Sequence, residues 1–151
     1  MFTVTLEIAW ARQDAPFTDN RYSRVHRWSF DGGAEVRASA SPHIVPVPMS
    51  DPAGVDPEEA FVASIASCHM LWFLSIAAKR GFIVEDYEDH PVGHLEEDER
   101  GRLLVTRVAL RPTIRFQGPN SPAEEQVRAI HRESHERCFI ANSVRTRITV
   151  E

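Results

Sequence analysis

Apolar residues alternate with polar or small ones from the start of the chain, at Phe2, Val4, Leu6, Ile8 and Trp10. A period of two predicts a strand. Residues 11–23 are polar and read as a loop. His26, Trp28 and Phe30 predict a second strand, Asp31-Gly32-Gly33 a hairpin turn, and Ala34, Val36, Ala38 and Ala40 a third strand. Prolines at 42, 46, 48 and 52 then exclude regular structure up to Asp56.

The pattern changes at Asp56. This residue suits a helix N-cap, Pro57 the first helical position, and Glu59 completes an Asp-x-x-Glu capping box. Gly81 is a helix stop, preceded by Lys79 and Arg80, whose charges complement the C-terminal dipole. Between these signals, residues 60–78 are apolar nearly all round. Such a helix is either a membrane span or the buried centre of a fold. Ser64, Ser67, His69 and Ser75 within it, and strand-like segments on both sides, favour the buried centre.

Residues 82–96 read as one or two strands, broken at Pro91, with a charged turn at Glu97–Gly101. Leu104, Thr106, Val108, Leu110, Ile114 and Phe116 keep strand parity over a long stretch. Pro112 shares that parity, which predicts an edge position or a bulge. Ser121-Pro122-Ala123-Glu124 predicts a second capped helix, running to about Arg137. Val144, Thr146, Ile148 and Val150 predict a closing strand. No repeat or linker interrupts this order. The expectation is a single α+β domain over residues 1–151, with antiparallel sheets around a central apolar helix.

Composition narrows the function. The chain has 151 residues, of which 42% are hydrophobic and 26% charged, which argues for a folded globular protein. A formal net charge of -5, with no run of Lys or Arg, argues against a nucleic-acid partner. The N-terminus lacks the basic and continuous apolar regions of a signal peptide, so the cytoplasm is the expected compartment and no membrane partner is expected. Two cysteines in a reducing compartment are inert core residues, metal ligands or redox groups.

Cys68 lies inside the apolar helix, where burial alone would leave it inert, so a reactive thiolate needs a cation from elsewhere in the fold. His69 diverges from it by about 100° around the helix. In the second helix, His131, His135 and Cys138 follow a spacing of four then three, which places them on one face. Together with Cys68 they form a candidate zinc set, although the usual Cys-x-x-Cys knuckle is absent. Otherwise both histidines are solvated helix residues. If the two helices pack together, the two cysteines can approach as a reversible pair.

The stretch from Asp56-Pro57-Glu58-Glu59 to Ala66-Ser67-Cys68 resembles the first motif of the OsmC/Ohr family, a Pro-Glu pair before a small-residue helix ending in the peroxidatic cysteine. His135-Glu136-Arg137-Cys138, followed by Phe139-Ile140-Ala141-Asn142-Ser143, resembles the second. The resemblance implies that Cys68 is the peroxidatic and Cys138 the resolving cysteine. It implies Glu58 as the active-site glutamate and an arginine from the N-terminal strand region. Arg24 is the choice, on one strand face with His26, Trp28 and Phe30, and Arg21 is the alternative. The glycine-rich arginine motif of the Ohr branch is missing. The implied activity is reduction of organic hydroperoxides through a Cys68 sulfenic acid and a Cys68–Cys138 disulfide, reset by an external dithiol and needing no cofactor. The alternatives are a non-enzymatic carrier of apolar ligands on the same fold, and a zinc-binding structural protein using Cys68, His131, His135 and Cys138.

Glu58 and Cys68 stand ten residues apart. A straight helix would separate them by about 15 Å, at about 1.5 Å per residue. Either the helix begins later and residues 56–60 fold back, or Glu58 serves a second subunit. An all-round apolar helix is difficult to cover within this chain, which favours the second option. The resemblance also implies an intertwined homodimer. The expectation is composite sites in which Glu58, with Arg24 as a second candidate, serves the partner's Cys68.

Overall fold

A computed structural model describes all residues, Met1–Glu151. Its contacts divide the chain into two compact units, Met1–Ala60 and Phe61–Glu151.

In the first unit, β1 (Leu6–Ala9), β2 (His26–Phe30) and β3 (Glu35–Ala38) form an antiparallel sheet in that order. The alternation from Phe2 to Trp10 predicts a longer first strand. The ladder begins only at Leu6, opposite Phe30, where β2 ends. Residues ahead of Leu6 have no partner strand on which to continue it. The hairpin turn is present, with Gly33 at φ +90°, a conformation that a Cβ would strain. The proline-rich segment forms turns. It is tied back by Ser39 N donating to Val55 O at 3.0 Å, and by the Arg37–Asp51 ion pair at 2.7 Å.

The long helix α1 (Pro57–Lys79) has the predicted bounds. Its capping box is complete: Glu59 N donates to Asp56 Oδ1 at 2.8 Å, and Asp56 N to Glu59 Oε2 at 3.1 Å. Each such bond is worth about 1 kcal/mol. Gly81 at φ +77° ends the run. Because the helix starts at Pro57, the alternative in which residues 56–60 fold back is overturned. The all-round apolar sequence predicts a helix buried on every side. Instead one stripe is buried, Ile65, His69, Phe73, Ile76 and Ala77, while Ala63, Ser64, Ser67 and Leu71 are exposed. By length and composition α1 could cross a membrane, but this stripe packs into protein core.

In the second unit, β4 (Ile83–Asp89) pairs with β7 (Pro112–Gln117), and β5 (Val92–Glu97), β6 (Leu103–Leu110) and β8 (Arg147–Val150) form a three-stranded sheet. All pairs are antiparallel except β6–β8, which is parallel. The shared parity from Leu104 to Phe116 predicts one long strand. The chain instead breaks at Arg111 and sends β6 and β7 into different sheets. Pro112 opens β7, in a two-stranded sheet where each strand is an edge and a missing N–H is tolerated.

Helix α2 (Glu124–Arg137) begins three residues after the predicted cap. Ser121 Oγ bonds Gly118 O instead, and the Gln126 side chain accepts from Ala123 N at 2.8 Å. The core has two parts along α1. Phe73, Ile76, Ala77, Phe82 and Ile130 form one, and Ile65, Val108 and Leu110 the other. Gly93 lets β5 approach α1 closely, because a Cβ there would meet Val62 Cγ2 at 2.6 Å.

Candidate functional site

Cys68 sits on the half-buried flank of α1, and Cys138 caps the C-terminus of α2 with 1% of its surface exposed. Both are free thiols, and the Cys68 thiol lies beside Cys138. Cys138 Sγ also accepts from Ala141 N at 3.3 Å, in the tight turn Ala141–Ser143 that follows α2. Burial, and then the Cys68 thiol beside it, pushes the Cys138 pKa up to about 11. Cys138 is therefore an uncharged thiol at neutral pH.

Cys68 opens onto a cavity of about 580 Å³. Leu71, Trp72, Phe139 and Ile140 make it apolar, and Ser64, Ser67 and Ser75 add hydroxyls along α1. Trp72 and Phe139 meet edge to face at 5.8 Å, and the Arg137 guanidinium lies 5.7 Å from the Trp72 ring. Phe139 is 62% exposed and Leu71 61%. The arrangement pairs an accessible thiol with a second thiol held behind it, at the wall of an apolar pocket.

Arg24 and Glu58 lie in the first unit. Arg24 precedes β2 instead of lying within it, so the strand-face argument for it does not apply. Its backbone N donates to Met49 O at 2.7 Å. Its guanidinium bonds Tyr22 O and Asn20, and stacks 3.7 Å from the Tyr22 ring centroid. It lines a pocket of about 390 Å³ with Trp10, Phe17, Tyr22 and His26. Arg21 is exposed. Glu58 is half-buried, and burial raises its carboxyl above the usual range, with Asp56 adding to the effect. None of the ion pairs within the chain joins Arg24 to Glu58. The guanidinium is committed to Asn20 and Tyr22.

The zinc set does not assemble: no three His, Cys, Asp or Glu side chains are grouped to hold a metal ion. The cysteines face each other, His135 is exposed, and His131 turns to His69. His131 is thus not a solvated helix residue. His69, discounted as a base for Cys68, is 1% exposed and bonded to His131 at 2.9 Å. A signal for this pair was present. His69 falls four residues from both Ile65 and Phe73, on the stripe that packs inward, and a buried polar group needs a partner.

The family model for OsmC-like protein matches residues 50–151. An OsmC-like protein of unknown function from Vibrio cholerae is 52% identical, over 100% of this chain and 99% of that one, with a TM-score of 0.97. The chain therefore belongs to the OsmC-like family. Two organic hydroperoxide resistance proteins share the fold at low identity. The one from Legionella pneumophila is 18% identical, over 100% of this chain and 98% of that one, with a TM-score of 0.67. The one from Bacillus subtilis is 17% identical, over 99% and 97%, also with a TM-score of 0.67. No curated protein matches the chain.

Proposed function

We propose that the protein is a thiol-dependent peroxidase that reduces organic hydroperoxides to alcohols. The observation that carries this reading is the pair of neighbouring free thiols, one opening onto an apolar cavity and the other buried. The Cys68 thiolate attacks the outer peroxide oxygen and the O–O bond breaks. The departing alkoxide takes a proton and leaves as the alcohol, and Cys68 becomes a sulfenic acid. The Cys138 sulfur then displaces the sulfenic hydroxyl, its proton leaves with that group as water, and the disulfide forms. An external dithiol reduces the disulfide and is itself oxidised. Burial and the raised pKa of Cys138, with the opening of Cys68 onto the cavity, support Cys68 as the attacking thiol. The apolar cavity wall favours hydroperoxides with a hydrocarbon body over hydrogen peroxide.

Glu58 serves the partner's Cys68 in a homodimer, and Arg24 is the candidate cation for the thiolate. The exposed small-residue face of α1, around Leu71, is the surface that a second copy would cover. Mixing Cys68→Ser with Glu58→Ala protein under subunit exchange then restores part of the activity. Silence despite proven exchange refutes shared sites.

The decisive experiment is thiol titration before and after one equivalent of cumene hydroperoxide. The expected result is loss of both thiols and their return with a dithiol. Unchanged thiols overturn the reading, and saturable binding of an apolar probe by the same sample would identify a carrier instead.

A further inference from the structure

Cys68 and Cys138 are carried by α1 and α2, and their approach depends on how those helices are held. Surface contacts between them are weak guarantees. The Arg80–Glu133 ion pair, at 2.7 Å, is partly exposed on both sides. The buried polar link is different. His69, the residue after Cys68, reaches across to His131, two turns before Cys138, with Nε2···Nδ1 at 2.9 Å. The rings are nearly parallel, with centroids 5.2 Å apart and planes 13° apart, and Phe73 packs against His131 at 4.5 Å.

The surroundings select the tautomer. His69 Nδ1 is buried with no partner. Were it protonated, it would be an orphaned donor in the core. The pair avoids this when His69 Nε2–H donates to His131 Nδ1, leaving an empty acceptor at His69 Nδ1. His131 then carries its own proton on Nε2, and the residue lines a cavity of about 390 Å³ with Arg128, Arg132 and His135. The donor and the acceptor are thus each assigned to one ring.

We propose that His69 and His131 are a positioning pair, a directed hydrogen bond that locks the cysteine-bearing helices in register and so holds Cys138 within reach of the Cys68 sulfur. This rests on the reading of the two cysteines as a redox pair. Neither imidazole touches the substrate. Their effect falls on disulfide formation and leaves the peroxide step alone.

Two reactions separate these readings. In the first, oxidised glutathione takes the place of peroxide: the two protein thiols become a disulfide and two glutathione thiols are released, so peroxidase activity is not needed. In the second, rapid mixing with cumene hydroperoxide follows sulfenic acid formation and then its conversion to disulfide. His131→Leu deletes the acceptor. It should lower the equilibrium constant for the disulfide by about tenfold or more, and slow sulfenic acid conversion in proportion, while peroxide attack stays within about twofold. Because that variant can fail to fold, two amides replace it as a matched pair. His131→Asn puts a carbonyl oxygen where Nδ1 stood and should restore the disulfide constant to within about threefold of the parent. His131→Gln reaches toward the Nε2 position and should behave like the leucine variant. If the asparagine and glutamine variants form the disulfide equally well, the positioning pair is overturned. Equal loss of peroxide attack and disulfide formation also overturns it, since that marks general loosening. If the parent fails to consume peroxide yet the glutathione results hold, the peroxidase reading falls and the positioning pair stands.

Discussion

Cys68 and His69 are neighbours in sequence and occupy opposite environments. Cys68 opens onto an apolar cavity at the molecular surface, whereas His69 is enclosed with a partner from α2. A rotation of about 100° per residue is enough to separate them. The outer stripe of α1 is built for access, with Ser64, Ser67 and Leu71 exposed beside the thiol. The inner stripe is built for packing, from Ile65 through Phe73 to Ala77, with one polar residue that is given a single partner. Chemistry and stability are thus divided between two faces of one helix, and substitutions on the two faces should fail in different assays.

The largest expected effect lies on the outer face. Cys68→Ser should abolish peroxide consumption, a loss of at least about a thousandfold or 4 kcal/mol, because a hydroxyl is a far weaker nucleophile at neutral pH. Its urea midpoint should hardly move. Full turnover of cumene hydroperoxide by this variant would remove the distinction between the faces. Phe73→Ala tests the inner face and should cost about 3–5 kcal/mol in urea unfolding by emptying the centre of the core. A loss below about 1 kcal/mol would mean that this stripe does not carry the fold.

Acid should act on the inner face next. Burial lowers both His69 and His131 to about 4, with His131 and His135 adding to the effect on His69. In the unfolded chain the same groups take protons near pH 6.5. Between pH 6.5 and 4 the unfolded state therefore binds more protons, and stability falls as pH falls through that window. The expected loss for the buried His69 is on the order of 3 kcal/mol. Urea unfolding at pH 7 and pH 4.5 measures it, and a His69→Gln variant should flatten the slope. An unchanged slope would mean that other groups carry the acid sensitivity.

A smaller effect is expected from Arg24→Ala, which should slow the peroxide step by more than about tenfold, equivalent to 1.4 kcal/mol, if its guanidinium serves the thiolate. Single-turnover rates at several peroxide concentrations would show it, and an unchanged rate would transfer the role to Arg21 or another cation. The smallest effect belongs to Ser67→Ala. Loss of one hydroxyl should change stability by no more than about 0.5 kcal/mol in thermal melting, and a larger loss would mean that this hydroxyl is held across the contact with the second copy.

The helix that carries this division was legible in the chain. The bounds of α1 follow from Asp56, Pro57 and Glu59 at one end and Gly81 at the other, because caps and left-handed stops act within a turn of the backbone. The two cysteine motifs likewise place Cys68 in α1 and Cys138 at the end of α2. The break at Arg111 was not legible. Residues on both sides of it keep strand parity, and only the available partners, β5 and β8 for one half and β4 for the other, separate them. Nor does the pattern of residues 60–78 distinguish an inner from an outer face, since it is apolar nearly all round.

The sequence by itself determined where the elements start and stop and which of them carry the thiols. Those signals are local: a carboxylate accepting a backbone N–H three residues on, a glycine taking a positive φ, a proline lacking a donor. Only the tertiary structure decided that the Cys68 thiol lies beside Cys138, that His69 finds His131, and that Arg24 stacks on Tyr22. Side-chain partners from distant segments are chosen by the packing of whole elements. A buried histidine four residues from two core positions announces that it needs a partner, but the identity of that partner exists only once α2 has docked.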